Sequence, residues 1–337
     1  MSHYYRPIVR NDIARPKTAM PVAGGPGWVS EIEVLSRTAP PFVVPISDAP
    51  DACVAAITSA RSPIAGLDLD QPRLMGILNV TPDSFSNDGI FSAPDVAAQN
   101  ALALVQSGAD IIDVGGESTR PGAESVSEHE ETHRTAPAIA ALRAQTNVPI
   151  SIDTRKSTVA QEALKAGAGL VNDVSGFTYD AALSSLCVEQ RVPVCVMHAQ
   201  GDPATMQADP CYDDVLLDVY DFLSRQINRL VTAGIPRSQI MADPGIGFGK
   251  TLAHNLALLR RISLFHTLGC PILLGASRKR FIGTIGKGTL ASDRAPGSIA
   301  VGLAALAQGV QILRVHDVEM TKQAIRLHNA LIGGEHG

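Results

Sequence analysis

From Leu74 onward, short apolar runs alternate with amphipathic stretches, beginning with Leu74-Met75-Gly76-Ile77-Leu78-Asn79-Val80. Runs this short and this uniformly apolar read as parallel strands covered on both faces, and the stretches between them as crossover helices. Seven more runs follow, at 111–114, 149–152, 170–174, 192–197, 240–242, 271–274 and 311–315. Helix ends are legible between them. Ser127 followed by Glu130 makes a capping-box pattern, Ser157 suits the start of a helix that stops at Gly167, and Gly234 suits the end of one that starts at Asp214. Eight strand-then-helix units close into a (β/α)8 TIM barrel with every strand paired. An open doubly wound sheet would place a G-x-G-x-x-G fingerprint after its first strand, and none follows Gly76.

Residues 1–72 break this rhythm. They hold ten of the 22 prolines and the only tryptophan, Trp28, a density that excludes long helices. Trp28 to Leu35 and Phe42 to Ile46 read as two short strands of a small hairpin. The chain is therefore expected to divide into a Pro-rich extension, 1–72, and a barrel, 73–337.

The charge balance adds exclusions. With 28 basic against 33 acidic side chains and a net charge of −5, no global basic field favours nucleic acid. Five scattered cysteines without a C-x-x-C pair argue against a disulfide framework or a cysteine zinc site and fit a reducing cytoplasm. The start lacks the apolar run of a secretory signal. The most apolar stretch, Ser298 to Leu313, is interrupted by Gln308 and Gln311 and too short to cross a bilayer. It reads as a buried helix running into a strand, and no membrane partner is expected.

Polar residues interrupt the apolar runs at one end only. Asn79, Asp113, Asp153, Asn172, Asp243, Lys279 and the pair Arg314 and His316 stand at or just past strand carboxyl ends, where barrel enzymes build their sites. Any one of them alone reads equally well as a cap or a turn, Asp113 above all. Recurrence in seven units points to a site.

These positions sit in longer motifs: Asn79-Val80-Thr81-Pro82-Asp83-Ser84-Phe85-Ser86, Gly115-Gly116-Glu117-Ser118-Thr119-Arg120-Pro121-Gly122 and Ile152-Asp153-Thr154-Arg155. Asn172-Asp173-Val174-Ser175-Gly176, Met197-His198, Asp243-Pro244-Gly245-Ile246-Gly247-Phe248-Gly249-Lys250, Ser277-Arg278-Lys279 and Arg314-Val315-His316 continue the series. In order and spacing, residues 74 to about 330 resemble the dihydropteroate synthases. That family joins 6-hydroxymethyl-7,8-dihydropterin diphosphate to p-aminobenzoate, giving 7,8-dihydropteroate and pyrophosphate in folate biosynthesis.

The resemblance implies residue roles. Asn79 would supply a hard oxygen to Mg2+, while Thr119, Arg314, the Val315 backbone and His316 would hold the diphosphate. Asp153, Asn172, Asp243 and Lys279 would grip the pterin. Asp153, Arg120 and Lys279 would serve catalysis, Asp153 by stabilising the positive charge that develops as diphosphate leaves. Phe85, Pro121, Phe248 and Ser277 would form the p-aminobenzoate slot, the target of sulfonamides, once mobile loops close. A homodimer through the last helices is implied as well. The chain departs from the family after Ser86, reading Asn87-Asp88-Gly89 where Asp-Gly-Gly is usual, so no catalytic carboxylate is assigned there.

Two motifs point elsewhere. His129-Glu130-Glu131-Thr132-His133 matches the H-E-x-x-H of zinc proteases, but it opens a helix directly after the Ser127 cap and has no third ligand. A solvated first turn accounts for it. Gly249-Lys250-Thr251 resembles the end of a phosphate-binding P-loop, yet Pro244 stands where the first glycine is required. His198, closing a strand, reads as a histidine hydrogen-bonded in place. A methyltetrahydrofolate-binding methyltransferase would share Asp153, Asn172 and Asp243. The Ser118–Gly122 and Arg314–His316 segments favour a diphosphate substrate instead, and a non-enzymatic pterin binder would be expected to lose them.

Overall fold

The computed structural model of the chain describes residues 3–80, 93–118, 122–123, 125–202 and 205–332. Its centre is an eight-stranded parallel sheet: β6 (Arg73–Asn79), β7 (Ile111–Gly115), β8 (Ile150–Asp153), β9 (Leu170–Asp173), β10 (Val194–Met197), β11 (Ile240–Asp243), β12 (Leu273–Leu274) and β13 (Ile312–Val315). Neighbours in space are neighbours in sequence, and β13 returns to pair with β6. Ala242 bridges Ile272, with Ala242 N donating to Pro271 O at 2.9 Å, which joins β11 to β12 and closes the ring. This is the TIM barrel, and its strands begin and end within two residues of the apolar runs.

Helices α2 (Ala93–Gln106), α3 (Glu128–Arg143), α4 (Ser157–Lys165), α5 (Ala181–Gln190), α6 (Val215–Ala233) and α7 (Leu252–Arg260) follow β6 to β11 in turn. After β12 come two, α8 (Arg280–Gly286) and α9 (Ala295–Leu306), and α10 (Val318–Leu331) follows β13. Ser127 accepts from Glu130 N at the start of α3, and Gly234 ends α6 in the left-handed conformation at φ 118°. Ser157 is not a cap. It lies inside the first turn of α4, and its backbone N–H is received by the Asp180 carboxylate at 2.7 Å from the next unit. The Ser298 to Leu313 stretch does run from helix to strand, but α9 is only partly buried: Ala295, Gly302, Ala305 and Leu306 face inward while Ala300 and Ala304 face solvent.

The extension is more structured than its prolines suggest. Trp28 to Leu35 is two strands, not one: β3 (Trp28–Val29) pairs with β2 (Met20–Pro21), whereas β4 (Glu31–Leu35) lies between β1 (Tyr4–Pro7) and β5 (Phe42–Pro45), antiparallel to both. An eight-residue helix, α1 (Asp51–Thr58), follows. Val22, Val29, Ile32, Val34, Ile46 and Ile57 form a core of their own. The sheet docks on the barrel's flank through Ser263 Oγ to Pro7 O at 2.8 Å and Arg261 to Glu33 at 2.9 Å.

Next comes the barrel's floor. Ile64 and Leu69, fully or nearly buried, pack with Met75, Ile111, Leu170, Cys195, Met241, Leu273 and Ile312 as one apolar layer. The segment 61–69 thus plugs the amino-terminal end of the barrel before its first strand starts. We predict that removing residues 1–60 leaves a barrel that unfolds cooperatively, and that Ile64→Ala lowers stability by about 2–5 kcal/mol. Urea denaturation checks both. Non-cooperative unfolding of the 61–337 fragment would mean that the extension sheet is part of the barrel's core.

Candidate active site

Strand residues alternate between the two faces of a sheet, so the residue two positions beyond a floor residue also points inward. Ile111 leads to Asp113, Leu170 to Asn172, Met241 to Asp243 and Ile312 to Arg314. The polar residues therefore form one inward layer directly above a dry floor.

Arg314 ties this layer together. Its Nε donates to Asp113 Oδ2 at 2.6 Å and its Nη2 to Asp153 Oδ2 at 2.7 Å. Asn172 Nδ2 also donates to Asp113 Oδ2, at 3.1 Å. Asp113 is fully buried in mid-strand, so it is neither a helix cap nor a turn residue. Its only advance signal was its place in the recurrent series. Among the described residues, the second oxygens of Asp113 and Asp153 are buried without a partner, which leaves two acceptors that a ligand's N–H groups could satisfy. Burial pushes the Asp153 carboxyl up to about 7; Arg314 opposes the shift and Asp113 adds to it. Burial alone would lower the Arg314 guanidinium, but Asp113 and Asp153 outweigh it and hold the group charged.

Asp243 and Lys279 stand on the adjoining side. Burial raises the Asp243 carboxyl, against the Gly245 N–H that donates to its Oδ1 at 2.7 Å. Burial brings the Lys279 ammonium down to about 7, with Asp243 opposing. Lys279 Nζ donates to Ile246 O and lies 4.2 Å from the centre of the Phe248 ring. Ser277 is bonded to its neighbour: its Oγ is 3.0 Å from His316 Nδ1 and accepts from His316 N at 3.2 Å. Arg278, with φ at +57°, pairs with Asp317 and so ties the loops after β12 and β13 together. Asn79 ends β6 beside Gly115, half-buried. A cavity of about 300 Å³ opens next to this group, lined by Arg155, Ser175, Tyr179, Asp202, Met206 and Phe248 among others.

The structure thus gathers Asp153, Asn172, Asp243, Lys279, Arg314, Phe248, Ser277 and His316 at one end of the barrel. Phe85, Thr119, Arg120 and Pro121, with Asn87 and Asp88, lie outside the described residues. The stems of the loop after β7 are described and clamped. Lys156 Nζ donates to Glu117 Oε1 at 3.1 Å, Glu131 Oε2 at 2.6 Å and Val126 O at 2.6 Å, and all three charged side chains are buried. Sequence reading missed this cluster because its members come from two successive units, far apart along the chain.

The rival motifs dissolve in the geometry. His129 and His133 are exposed on the first turns of α3, Glu130 pairs with Arg134 at 2.8 Å, and Glu131 is the buried partner of Lys156. Among the described residues, no group of three or more His, Cys, Asp or Glu is placed to hold a metal ion. His198 is buried and bonded to Lys250. No described helix is long and apolar enough to cross a membrane.

The sequence profile of the family described as "Pterin binding enzyme" matches residues 75–316. Over 269 residues the chain is 45% identical to the dihydropteroate synthase of Escherichia coli K12, covering 80% of this chain and 95% of that one. The chain belongs to the dihydropteroate synthase family of pterin-binding enzymes. A dihydropteroate synthase from Bacillus subtilis is 42% identical over 265 residues, covering 78% and 90% of the two chains. The Xanthomonas albilineans dihydropteroate synthase with 4-aminobenzoic acid superposes with a TM-score of 0.77 at 42% identity, covering 82% of this chain and 99% of that one. The Yersinia pestis dihydropteroate synthase solved with a sulfonamide drug reaches 0.74 at 45% identity, covering 79% and 96%.

As a dihydropteroate synthase with Asp153 and Lys279 each near 7, the protein is expected to have a narrow bell-shaped kcat/KM profile. If Asp153 acts ionised and Lys279 acts charged, the rate falls as pH drops below the value of the first and falls again as pH rises above that of the second. Lys279→Arg should move the alkaline limb out of range while leaving the acid limb in place. A flat profile between pH 6 and 8 would contradict the burial of both groups.

Proposed function

We propose that the residues gathered at the barrel mouth carry out the family reaction, condensation of 6-hydroxymethyl-7,8-dihydropterin diphosphate with p-aminobenzoate, with the following division of labour. The observation that carries this is the single layer of Asp113, Asp153, Asn172, Asp243 and Arg314 above an apolar floor. The pterin edge offers N–H donors, which the carboxylates of Asp153 and Asp243 accept, while the Asn172 carboxamide and Lys279 complete the ring's polar contacts. Arg314, already held through two of its nitrogens, meets the diphosphate with the rest of its donor fork, joined by the Val315 backbone, His316 and Thr119. Ser277 keeps the His316 imidazole turned toward that end.

In the reaction, the p-aminobenzoate nitrogen attacks the exocyclic methylene carbon. The carbon–oxygen bond breaks, pyrophosphate leaves with the electron pair, and the amine gives up a proton. Positive charge that develops on the pterin methylene is stabilised by the Asp153 carboxylate. Arg120 stands on the loop that closes over the leaving group, and Phe85, Pro121 and Phe248 wall the aryl ring.

Mg2+ fits this donor set. Asn79 is a hard-oxygen ligand at the end of β6, and Mg2+ keeps most of its waters and borrows phosphate oxygens, so one protein ligand suffices. Held by Asn79, the ion would neutralise charge on the departing diphosphate.

Two further readings belong to the same proposal. The protein works as a homodimer through its last helices, supported by the exposed apolar side chains Ile285, Leu290, Met320, Leu327 and Leu331 on and beside α8 and α10 and by the half-exposed α9. It works in the cytoplasm, in keeping with five free thiols.

A coupled assay for pyrophosphate release tests the reaction: release is expected only with both substrates and Mg2+, and release that ignores p-aminobenzoate would overturn it. Asp243→Asn and His316→Ala should fail differently, since His316 is bonded to Ser277 whereas Arg314 also holds the pterin-binding Asp153. Loss of a charged contact costs about 2–5 kcal/mol, and calorimetry with a pterin that lacks the diphosphate should show that loss only for Asp243→Asn. Sulfonamides should compete with p-aminobenzoate and bind more tightly once pterin pyrophosphate is present. A rate unmoved by sulfonamide far above the p-aminobenzoate KM would sink the slot model.

A further inference from the structure

The loop after β11 has no regular structure, yet each of its five carbonyls from Gly245 to Gly249 accepts from a side chain. Lys250 donates to Gly245 O at 2.9 Å and to Phe248 O at 3.0 Å. Lys279 takes Ile246 O, Gln207 takes Gly247 O at 2.6 Å, and the Tyr212 hydroxyl takes Gly249 O at 2.7 Å. The loop also lies hard against the segment after β10. A Cβ on Gly245 would stand 1.8 Å from His198 O, and one on Gly249 2.4 Å from Gln200 O, both with positive φ. Only glycine permits so close an approach of two backbones. Carbonyls crowded together in this way need donors that water cannot supply.

Lys250 supplies two of them from inside. It is 3% exposed, and among the described residues no carboxylate bonds it. Its third close neighbour is His198 Nδ1, at 2.8 Å. His198 is fixed in turn, its backbone N–H donating to Asp243 O at 3.0 Å. Burial holds both the ammonium and the imidazole well below their ordinary values, so the pair is a costly one to keep in a loop that could have been apolar.

We propose that Lys250 is a positioning residue: tied to His198, it sets the 245–249 backbone so that Phe248 stands at the mouth of the site. This rests on the reading of Phe248 as a wall of the aryl slot. Its consequence is a split between the two substrates. Asp153, Asn172 and Asp243 sit on strands and Lys279 beyond β12, so the grip on pterin is kept when Lys250 is removed, whereas the slot for p-aminobenzoate loses its wall.

The test uses the full-length Lys250→Met and Tyr212→Phe variants, the second deleting only the hydroxyl on Gly249 O. For Lys250→Met the p-aminobenzoate KM should rise about 10-fold, in line with the cost of misplacing a binding wall by an ångström or less. Calorimetric affinity for pterin should stay within about threefold of the parent, a shift too small to signal loss of a charged contact. Hydrogen exchange of a 244–250 peptide should speed up while the β6–β9 peptides stay protected. Tyr212→Phe should shift KM and exchange in the same direction, less far, and decides the matter if Lys250→Met does not fold. Unchanged KM and exchange in an active, folded variant overturn the proposal, as does an equal loss of pterin affinity. A parent protein that binds pterin but releases no pyrophosphate overturns the functional reading, while the exchange result still judges the loop.

Discussion

An arginine shared by two buried carboxylates survives only where the ring around it is closed and dry below. Removing three charges from water costs several kcal/mol per ion, and mutual attraction recovers that cost only when the geometry is good and the remaining polar atoms are served. Here the barrel supplies the geometry. Asp113, Asp153 and Arg314 come from three strands held in fixed register, and the layer beneath Asp113 and Arg314 is apolar, sealed by Ile64 and Leu69 from the preceding segment, with the buried Ser151 beneath Asp153. The two open carboxylate oxygens left over are the imbalance that a hydrogen-donating ligand corrects. Binding and burial are thus the same fact seen twice, since the low dielectric that lifts Asp153 also strengthens each contact it makes with a developing positive charge.

Much of this was legible beforehand because it depends on spacing along a strand. Apolar runs gave the eight strands to within two residues, and polar residues at one end of those runs gave most of the site. Asp113 was visible but ambiguous: alone it resembles a cap, and only its place two residues after Ile111 sets it on the inner face. What spacing does not encode stayed hidden. The Lys156 cluster joins two units, and Lys250 imitates the end of a P-loop while its real partners are carbonyls and a histidine just past another strand. The same limit explains the extension, where Ser30 separates two strands that pair with different partners, and the Asp180 carboxylate that receives the first N–H of α4 in place of a local cap.

The arrangement divides labour between rigid and adjustable parts. In the proposed function, strand residues hold the pterin and loops bring in the second substrate. The described loops are stiffened by buried cations set on carbonyls and carboxylates, Lys156 at the stems of the β7 loop and Lys250 under the β11 loop. Such devices let an irregular backbone present an aromatic wall or an arginine with the accuracy that catalysis by positioning demands.

The central claim is that Asp153 is desolvated above a dry floor and held beside Arg314. It is tested most directly by following the Asp153 side-chain carboxyl carbon by NMR through a pH titration of the ligand-free protein, assigned with Asp153→Asn. The account predicts a midpoint near 7. A midpoint at about 4, the ordinary carboxylate value, would contradict the claim that burial outweighs Arg314 at this carboxyl.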